Sequence, residues 1–192
     1  RLMSFMEVDN ACIALIDEDQ KDAVKALFKK TTELYCYLVD KCCEAYGDNI
    51  TGFTVHDDWG TQRAPFFSFE TGREMIVPYM KMLTDHIRSK GRLSELHSCG
   101  KNEMQAPNFI AGGWDSWCPM PMNDTKMLYE QYGDRLIISV CDDPLDPNAS
   151  EDEQYARGVK YAEQFCKPGK PSIVSGVYNP DLMTPAFCRG LY

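Results

Sequence analysis

The 192-residue sequence contains no apolar run approaching the roughly 18 residues that a membrane-spanning helix needs, so we expect no membrane segment. It has no excess of basic residues either, since 20 lysines and arginines stand against 29 aspartates and glutamates and the formal net charge is −9. Because such a surface repels phosphates, this charge argues against a nucleic-acid partner. No G-x-G-x-x-G motif follows a predicted strand, so the strongest indication of a dinucleotide-binding sheet is missing.

Cysteine, in contrast, is abundant, with nine residues at positions 12, 36, 42, 43, 99, 118, 141, 166 and 188. The count is odd, Cys42 and Cys43 are adjacent, and no secretory signal precedes them, so we do not predict a disulfide framework. We expect reduced, mostly buried thiols in a cytoplasmic protein. The sequence opens at Arg1 directly in structured-looking sequence, which suggests a piece of a longer protein.

Apolar runs rich in strand-forming residues alternate with helical patterns along the chain. Strands are predicted at 50–56, 93–97, 114–118, 136–141 and 172–177, and helices at 19–46, 70–90, 101–111, 124–132 and 151–166. Short loops join them, so we predict βαβ units and a parallel sheet. The chain is expected to form one domain over 1–192, with a helical region at 1–49 and βα units at 50–192.

Five strands fit either an open doubly wound sheet or most of a (βα)8 barrel, and the placement of reactive residues favours the barrel. These residues cluster after strand carboxyl ends, in His56-Asp57-Asp58-Trp59, His97-Ser98-Cys99, Trp117-Cys118-Pro119-Met120, Cys141-Asp142-Asp143 and Tyr178-Asn179. Barrel enzymes form their active sites at the rim made by the carboxyl ends of the strands. A complete barrel typically needs about 250 residues. We therefore predict an α/β fold that is the C-terminal portion of a (βα)8 TIM barrel, with about five βα units. The open sheet edges would be covered by the missing N-terminal part of the barrel or by a homo-oligomer.

The pair His97 and Cys99 is the most specific chemical feature of the sequence. In a strand, successive side chains point to opposite faces, so Glu95, His97 and Cys99 are expected on one face. Imidazole and thiolate are ligands that zinc favours, and this predicts a zinc site. A buried histidine hydrogen-bonded to backbone beside a structural cysteine remains the alternative.

Several motifs resemble those of the uroporphyrinogen decarboxylase superfamily. The similarity starts with Val55-His56-Asp57-Asp58-Trp59-Gly60, Phe67-Ser68-Phe69-Glu70 and Val77-Pro78-Tyr79. It continues through His97-Ser98-Cys99-Gly100, Gly112-Gly113-Trp114-Asp115, Gly133-Asp134-Arg135-Leu136 and Thr184-Pro185. The resemblance covers the chain from about residue 50 to its end and implies a (βα)8 barrel.

The H-x-C pair is typical of the methyltransferase branch of that superfamily. The resemblance then implies transfer of a methyl group between a corrinoid, carried as methylcobalamin on a partner protein, and a thiol or similar small-molecule acceptor. Zinc would be bound by His97, Cys99 and a third ligand, which in that branch is a cysteine just before the T-P pair. Residues 175–180 contain no cysteine here, so Cys141 and Glu95 are the candidates for the third position.

The resemblance also favours Asp57 as a substrate-facing catalytic carboxylate, and it leaves two other functions open. One is a cofactor-free uroporphyrinogen decarboxylase of porphyrin biosynthesis, in which Asp57 stabilises a pyrrole cation in the tetrapyrrole substrate. The other is a non-catalytic module that binds a corrinoid or tetrapyrrole and retains only the barrel.

Overall fold

The computed structural model of the protein describes residues 2–192 and begins with a helical region. Two short helices, α1 (Leu2–Met6) and α2 (Val8–Ala14), precede the long α3 (Glu18–Tyr46). Asp17 caps α3 by accepting a hydrogen bond from the Asp19 backbone N–H at 3.0 Å, while Gly47, at φ 52°, ends it in a left-handed conformation. The helix predicted at 19–46 is confirmed.

Five strands form one parallel sheet whose order follows the chain. They are β1 (Gly52–His56), β2 (Leu93–Ser98), β3 (Ser116–Pro119), β4 (Ile137–Val140) and β5 (Ser172–Val174). Each predicted strand is therefore confirmed, with β5 shorter than expected. A doubly wound sheet reverses its strand order at a switch point, whereas this order contains no reversal.

The connecting helices are α4 (Phe69–Met75), α5 (Val77–Ser89), α6 (Ala106–Ala111), α7 (Thr125–Tyr132), α8 (Glu151–Phe165) and α9 (Pro185–Gly190). Short 3-10 turns lie at Gly47–Asn49, Glu103–Gln105 and Pro180–Leu182. The prediction of a single helix at 70–90 is wrong. The helix is interrupted at Ile76, and a second helix, α5, begins with Pro78 in its first turn. Proline lacks an N–H and clashes with the preceding turn, so it is tolerated at a helix start but not inside one.

The helices cover the apolar face of the sheet. Leu96, Trp117 and Ile138 point into this layer and have no exposed surface. They belong to one cluster with residues of α5, α6 and α7, namely Leu83, Ile87, Phe109 and Leu128. Burial of these side chains is the main force that fixes the helices on the sheet. Within residues 2–192, no helix combines the length and apolar character needed to cross a membrane.

The other face of the sheet carries polar residues in rows set by the strand register. Two such rows cross the first three strands: Thr54, Glu95 and Ser116, and then, nearer the carboxyl ends, His56, His97 and Cys118. In the row further from the carboxyl ends, Glu95 accepts hydrogen bonds from Thr54 Oγ1 at 3.1 Å and from Ser116 Oγ at 3.3 Å. Side chains capable of chemistry are therefore concentrated on the face away from the core.

We predict that Gly158→Ala destabilises the fold, although alanine in a helix interior is normally better than glycine by about 1 kcal/mol. A Cβ at Gly158 of α8 would overlap the carbonyl oxygen of Phe187 and lie 3.0 Å from the Cα of Gly190 in α9. Since the opposing atoms are backbone, the helices must separate, at a cost of about 1–3 kcal/mol. Thermal unfolding measures the effect. Lys160→Ala, on the exposed side of α8, is the control, and a raised melting temperature for Gly158→Ala would contradict the close packing.

Candidate metal centre

Three metal-ligating side chains meet where β1 and β2 end. Asp58 follows β1, His97 lies in β2, and Cys99 comes directly after it. One ligand atom from each lies within 4.8 Å of the others, and His97 Nε2 is 3.4 Å from Cys99 Sγ. The Cys99 backbone N–H donates to Asp58 Oδ1 at 2.9 Å, which holds the carboxylate beside the thiol. A carboxylate, an imidazole and a thiol form a donor set that fits zinc.

The ring of His97 is oriented by a neighbouring strand. Its Nδ1 lies 3.0 Å from the carbonyl oxygen of Cys118 in β3. Because a carbonyl only accepts, Nδ1 carries the proton and the lone pair of Nε2 faces Cys99. Metal-ligating histidines usually hold their second nitrogen in this way. A structural histidine would make the same bond, so the carboxylate of Asp58 is what favours a metal centre over that alternative.

Cys99 is held as a neutral thiol when no metal is bound. Burial raises the pKa of the Cys99 thiol, and the hydrogen bond and negative charge of Asp58 raise it further. The thiol therefore keeps its proton at neutral pH. A bound metal would displace that proton, because the thiolate is the form that coordinates.

Glu95 and Cys141, the predicted third ligands, lie outside this group of three. The Glu95 carboxylate is engaged by Thr54 and Ser116, one row further from the rim. Cys141 follows β4, where its backbone N–H donates to Thr125 Oγ1 at 2.9 Å. Among the described residues, the group with three ligand atoms within 4.8 Å of one another consists of His97, Cys99 and Asp58. Asp58 therefore takes the third position predicted for Glu95 or Cys141.

Asp57, the predicted substrate-facing carboxylate, lies at the same rim with different partners. Its Oδ2 accepts a hydrogen bond from Trp59 Nε1 at 2.8 Å, and its backbone N–H donates to the carbonyl of His97 at 3.0 Å. Trp59 is buried at 1% exposure, so the core fixes one edge of the Asp57 carboxylate. Both adjacent aspartates therefore sit at the strand ends, and Asp58 is the one beside His97 and Cys99.

Two buried asparagines that sequence reasoning missed fix the loop after β2. Asn102 donates from its side chain to Ser98 Oγ at 3.0 Å and to the Cys99 carbonyl at 2.7 Å. Asn123 accepts from the Asn102 backbone N–H at 2.7 Å and donates to the Gly100 carbonyl at 3.0 Å. Gly100, at φ 99°, leaves no room for a Cβ against the loop that follows β1. These hydrogen bonds and this backbone contact fix the conformation of the loop that carries Cys99.

Tyr178, from the segment after β5, also faces this rim. Its hydroxyl donates to Met120 Sδ at 3.0 Å. Burial raises the pKa of Tyr178 to about 12, and the negative charges that Cys118, Cys99 and Cys141 carry once ionised, together with that of Asp58, raise it further. The phenol therefore stays protonated, and its single O–H is engaged by the Met120 sulfur. In the sequence Tyr178 is merely one of the residues after a predicted strand, so only its three-dimensional position reveals it.

No model of a known protein family matches the chain, and no curated protein matches its sequence at a significant level. The resemblance to the uroporphyrinogen decarboxylase superfamily is therefore an expectation from the sequence motifs alone. In the structure, His56-Asp57-Asp58-Trp59 and His97-Ser98-Cys99-Gly100 lie side by side, at the ends of two paired strands.

We predict that Asp58→Asn makes Cys99 alkylate faster near neutral pH in the metal-free protein. Loss of the negative charge lowers the pKa of the thiol, so a larger fraction is thiolate. Iodoacetamide labelling followed by peptide mass spectrometry gives the rate at each cysteine, with the exposed Cys166 as internal control. The wild-type and variant rates should converge at alkaline pH. A difference that does not depend on pH would instead indicate a change in access.

Proposed function

We propose that this chain is part of a (βα)8-barrel enzyme of the uroporphyrinogen decarboxylase superfamily that transfers a methyl group between a corrinoid and a thiol. A zinc ion would be held by Asp58, His97 and Cys99. The observation that carries the proposal is this group of three donors, within 4.8 Å of one another at the carboxyl ends of adjacent parallel strands.

The arrangement of the sheet supports the barrel. Its five strands are all parallel and follow one another in chain order, as the strands of a (βα)8 barrel do. The helices pack on one face, and the polar rows lie on the other. In barrel enzymes the site lies at the carboxyl ends of the strands, which is where the three donors meet.

The donor set supports methyl transfer to sulfur. Three protein ligands are typical of catalytic zinc sites, which keep a further position for a substrate. Zinc would lower the pKa of an acceptor thiol, so that a thiolate nucleophile is present at neutral pH. Asp58, His97 and Cys99 would orient that thiol through the zinc that they hold, and the protonated Tyr178 lies at the same rim.

We predict that zinc binding depends on Asp58, His97 and Cys99 and not on Glu95 or Cys141. Asp58→Asn, His97→Ala and Cys99→Ser should each lower zinc affinity by more than the roughly 10–100-fold that loss of an outer partner costs. Glu95→Gln and Cys141→Ser are the matched controls and should retain about one ion per chain. Metal analysis after zinc loading and dialysis gives the result. Equal zinc in the wild type and the first three variants would contradict the site.

We predict that the zinc-loaded protein demethylates methylcobalamin in the presence of a thiol. The carbon–cobalt bond breaks, a carbon–sulfur bond forms, the cobalt keeps the electron pair as cob(I)alamin, and the thiol proton passes to solvent. Absorbance of the corrinoid and mass analysis of the thioether measure the two products. His97→Ala should abolish the reaction. Turnover of uroporphyrinogen alone would favour decarboxylation, and binding of the corrinoid without turnover would favour a non-catalytic module.

A further inference from the structure

A pocket of about 130 Å³ lies between the N-terminal helices and the carboxyl end of β1. One end of it is polar and is formed by His56, Asp57 and Asp58. The rest is walled mainly by apolar side chains from α1, α2, α3 and the α4–α5 segment, among them Leu2, Leu15, Phe28, Phe67 and Ile76.

The helices α1 and α2 pack outside the main core. Leu2, Ala11 and Leu15 are 7%, 2% and 5% exposed, and they belong to a small cluster separate from the main core. That cluster meets the main core through Phe67 and Ile76, which also line the pocket. The N-terminal helices thus form the wall of a cavity beside the rim.

The pocket adjoins the metal centre through Asp58. This residue lines the pocket, and its Oδ1 accepts the hydrogen bond from the backbone N–H of Cys99. His56 lines the pocket as well, and its ring centroid is 4.9 Å from that of His97. The pocket lies on the helix side of β1, where Met80 and Trp114 of the main core line it, so a ligand in it would reach the metal centre past the strand end at Asp58.

The volume limits what the pocket holds. An apolar cavity of about 150 Å³ in another protein is known to bind benzene. This pocket of about 130 Å³ is open to solvent on one side, and the volume has room for a body of roughly one six-membered ring but not for a corrin or a porphyrinogen. The tetrapyrrole would have to approach the metal centre from another side.

The charge of the lining excludes a further class of ligand. Among the described residues that line the pocket there is no lysine or arginine, while Asp57 and Asp58 stand at its polar end. A sulfonate or carboxylate tail would find no cation among these residues, and Asp57, which is not among the proposed zinc ligands, would repel it. The lining favours an uncharged ligand.

We infer that the methyl acceptor is a small uncharged thiol whose apolar body, about one ring in size, occupies this pocket while its sulfur reaches the metal centre. The inference rests on the proposed function and adds the class of the acceptor. In the transfer, the sulfur forms the new bond to the methyl carbon as the carbon–cobalt bond breaks, and the thiol proton leaves to solvent.

Three probes test this inference by calorimetry: benzyl mercaptan, the anionic mercaptoacetate, and benzyl alcohol, which has the ring without the sulfur. Benzyl mercaptan should bind the zinc-loaded protein at least about tenfold more tightly than mercaptoacetate, because it buries a ring. Its affinity should fall when zinc is removed. Benzyl alcohol should bind the zinc-loaded and the metal-free protein alike.

Variants of the pocket wall sharpen the test. Cys12 lines the pocket, so Cys12→Phe should weaken binding of benzyl mercaptan by about tenfold or more and leave mercaptoacetate unchanged. Ile13→Phe, at the next position but 53% exposed and not in the lining, is the matched control. Phe28→Ala should enlarge the pocket and increase the affinity for 2-naphthalenethiol. This gain provides a readout even if Cys12→Phe does not fold.

The outcomes separate the inference from the function on which it rests. One outcome is that all thiols bind in a zinc-dependent way, with no preference for the ring compound and no effect of Cys12→Phe. That result would overturn the inference and leave the proposed function standing. The opposite result is that Cys12→Phe weakens binding of the ring compounds while removal of zinc does not change the affinity for thiols. That result would contradict the proposed function and, with it, the assignment of the pocket to a methyl acceptor.

Discussion

The pairing of β1 with β2 is the interaction on which the candidate site depends. Its register places His56 opposite His97, so the residues two positions further along each chain segment also come together, and Asp58 meets Cys99. A shift of one residue would turn these side chains to the opposite face of the sheet. Gly52 helps set the register, because a Cβ there would lie 2.6 Å from the carbonyl oxygen of Leu93.

Fold and site differ in how far local sequence determines them. The strands and the proximity of His97 and Cys99 follow from local alternation, so the sequence predicts them. The third donor does not follow, because Asp58 reaches Cys99 across a strand pair that joins residues 41 positions apart. Glu95 shares the strand with His97, yet its carboxylate is taken up by Thr54 and Ser116, and no local pattern indicates this.

The N-terminal helices illustrate a second limit. Helices of five and seven residues, such as α1 and α2, are too short to be stable alone and gain their stability from packing. Periodicity therefore gives little indication of them. The cavity that they wall is likewise a property of tertiary structure, although Leu2 and Leu15 are visible in the sequence as ordinary apolar residues.

The position of β1 in the sheet has a kinetic consequence. Within residues 2–192, β1 pairs with a single strand, and edge strands open more readily than central ones. A metal held by Asp58 on one side and by His97 and Cys99 on the other would cross-link the ends of β1 and β2. Fraying of this edge would then be the motion that admits and releases the ion, and its rate would limit how fast the ion exchanges. Any further strand paired to β1 would slow that exchange without touching a ligand.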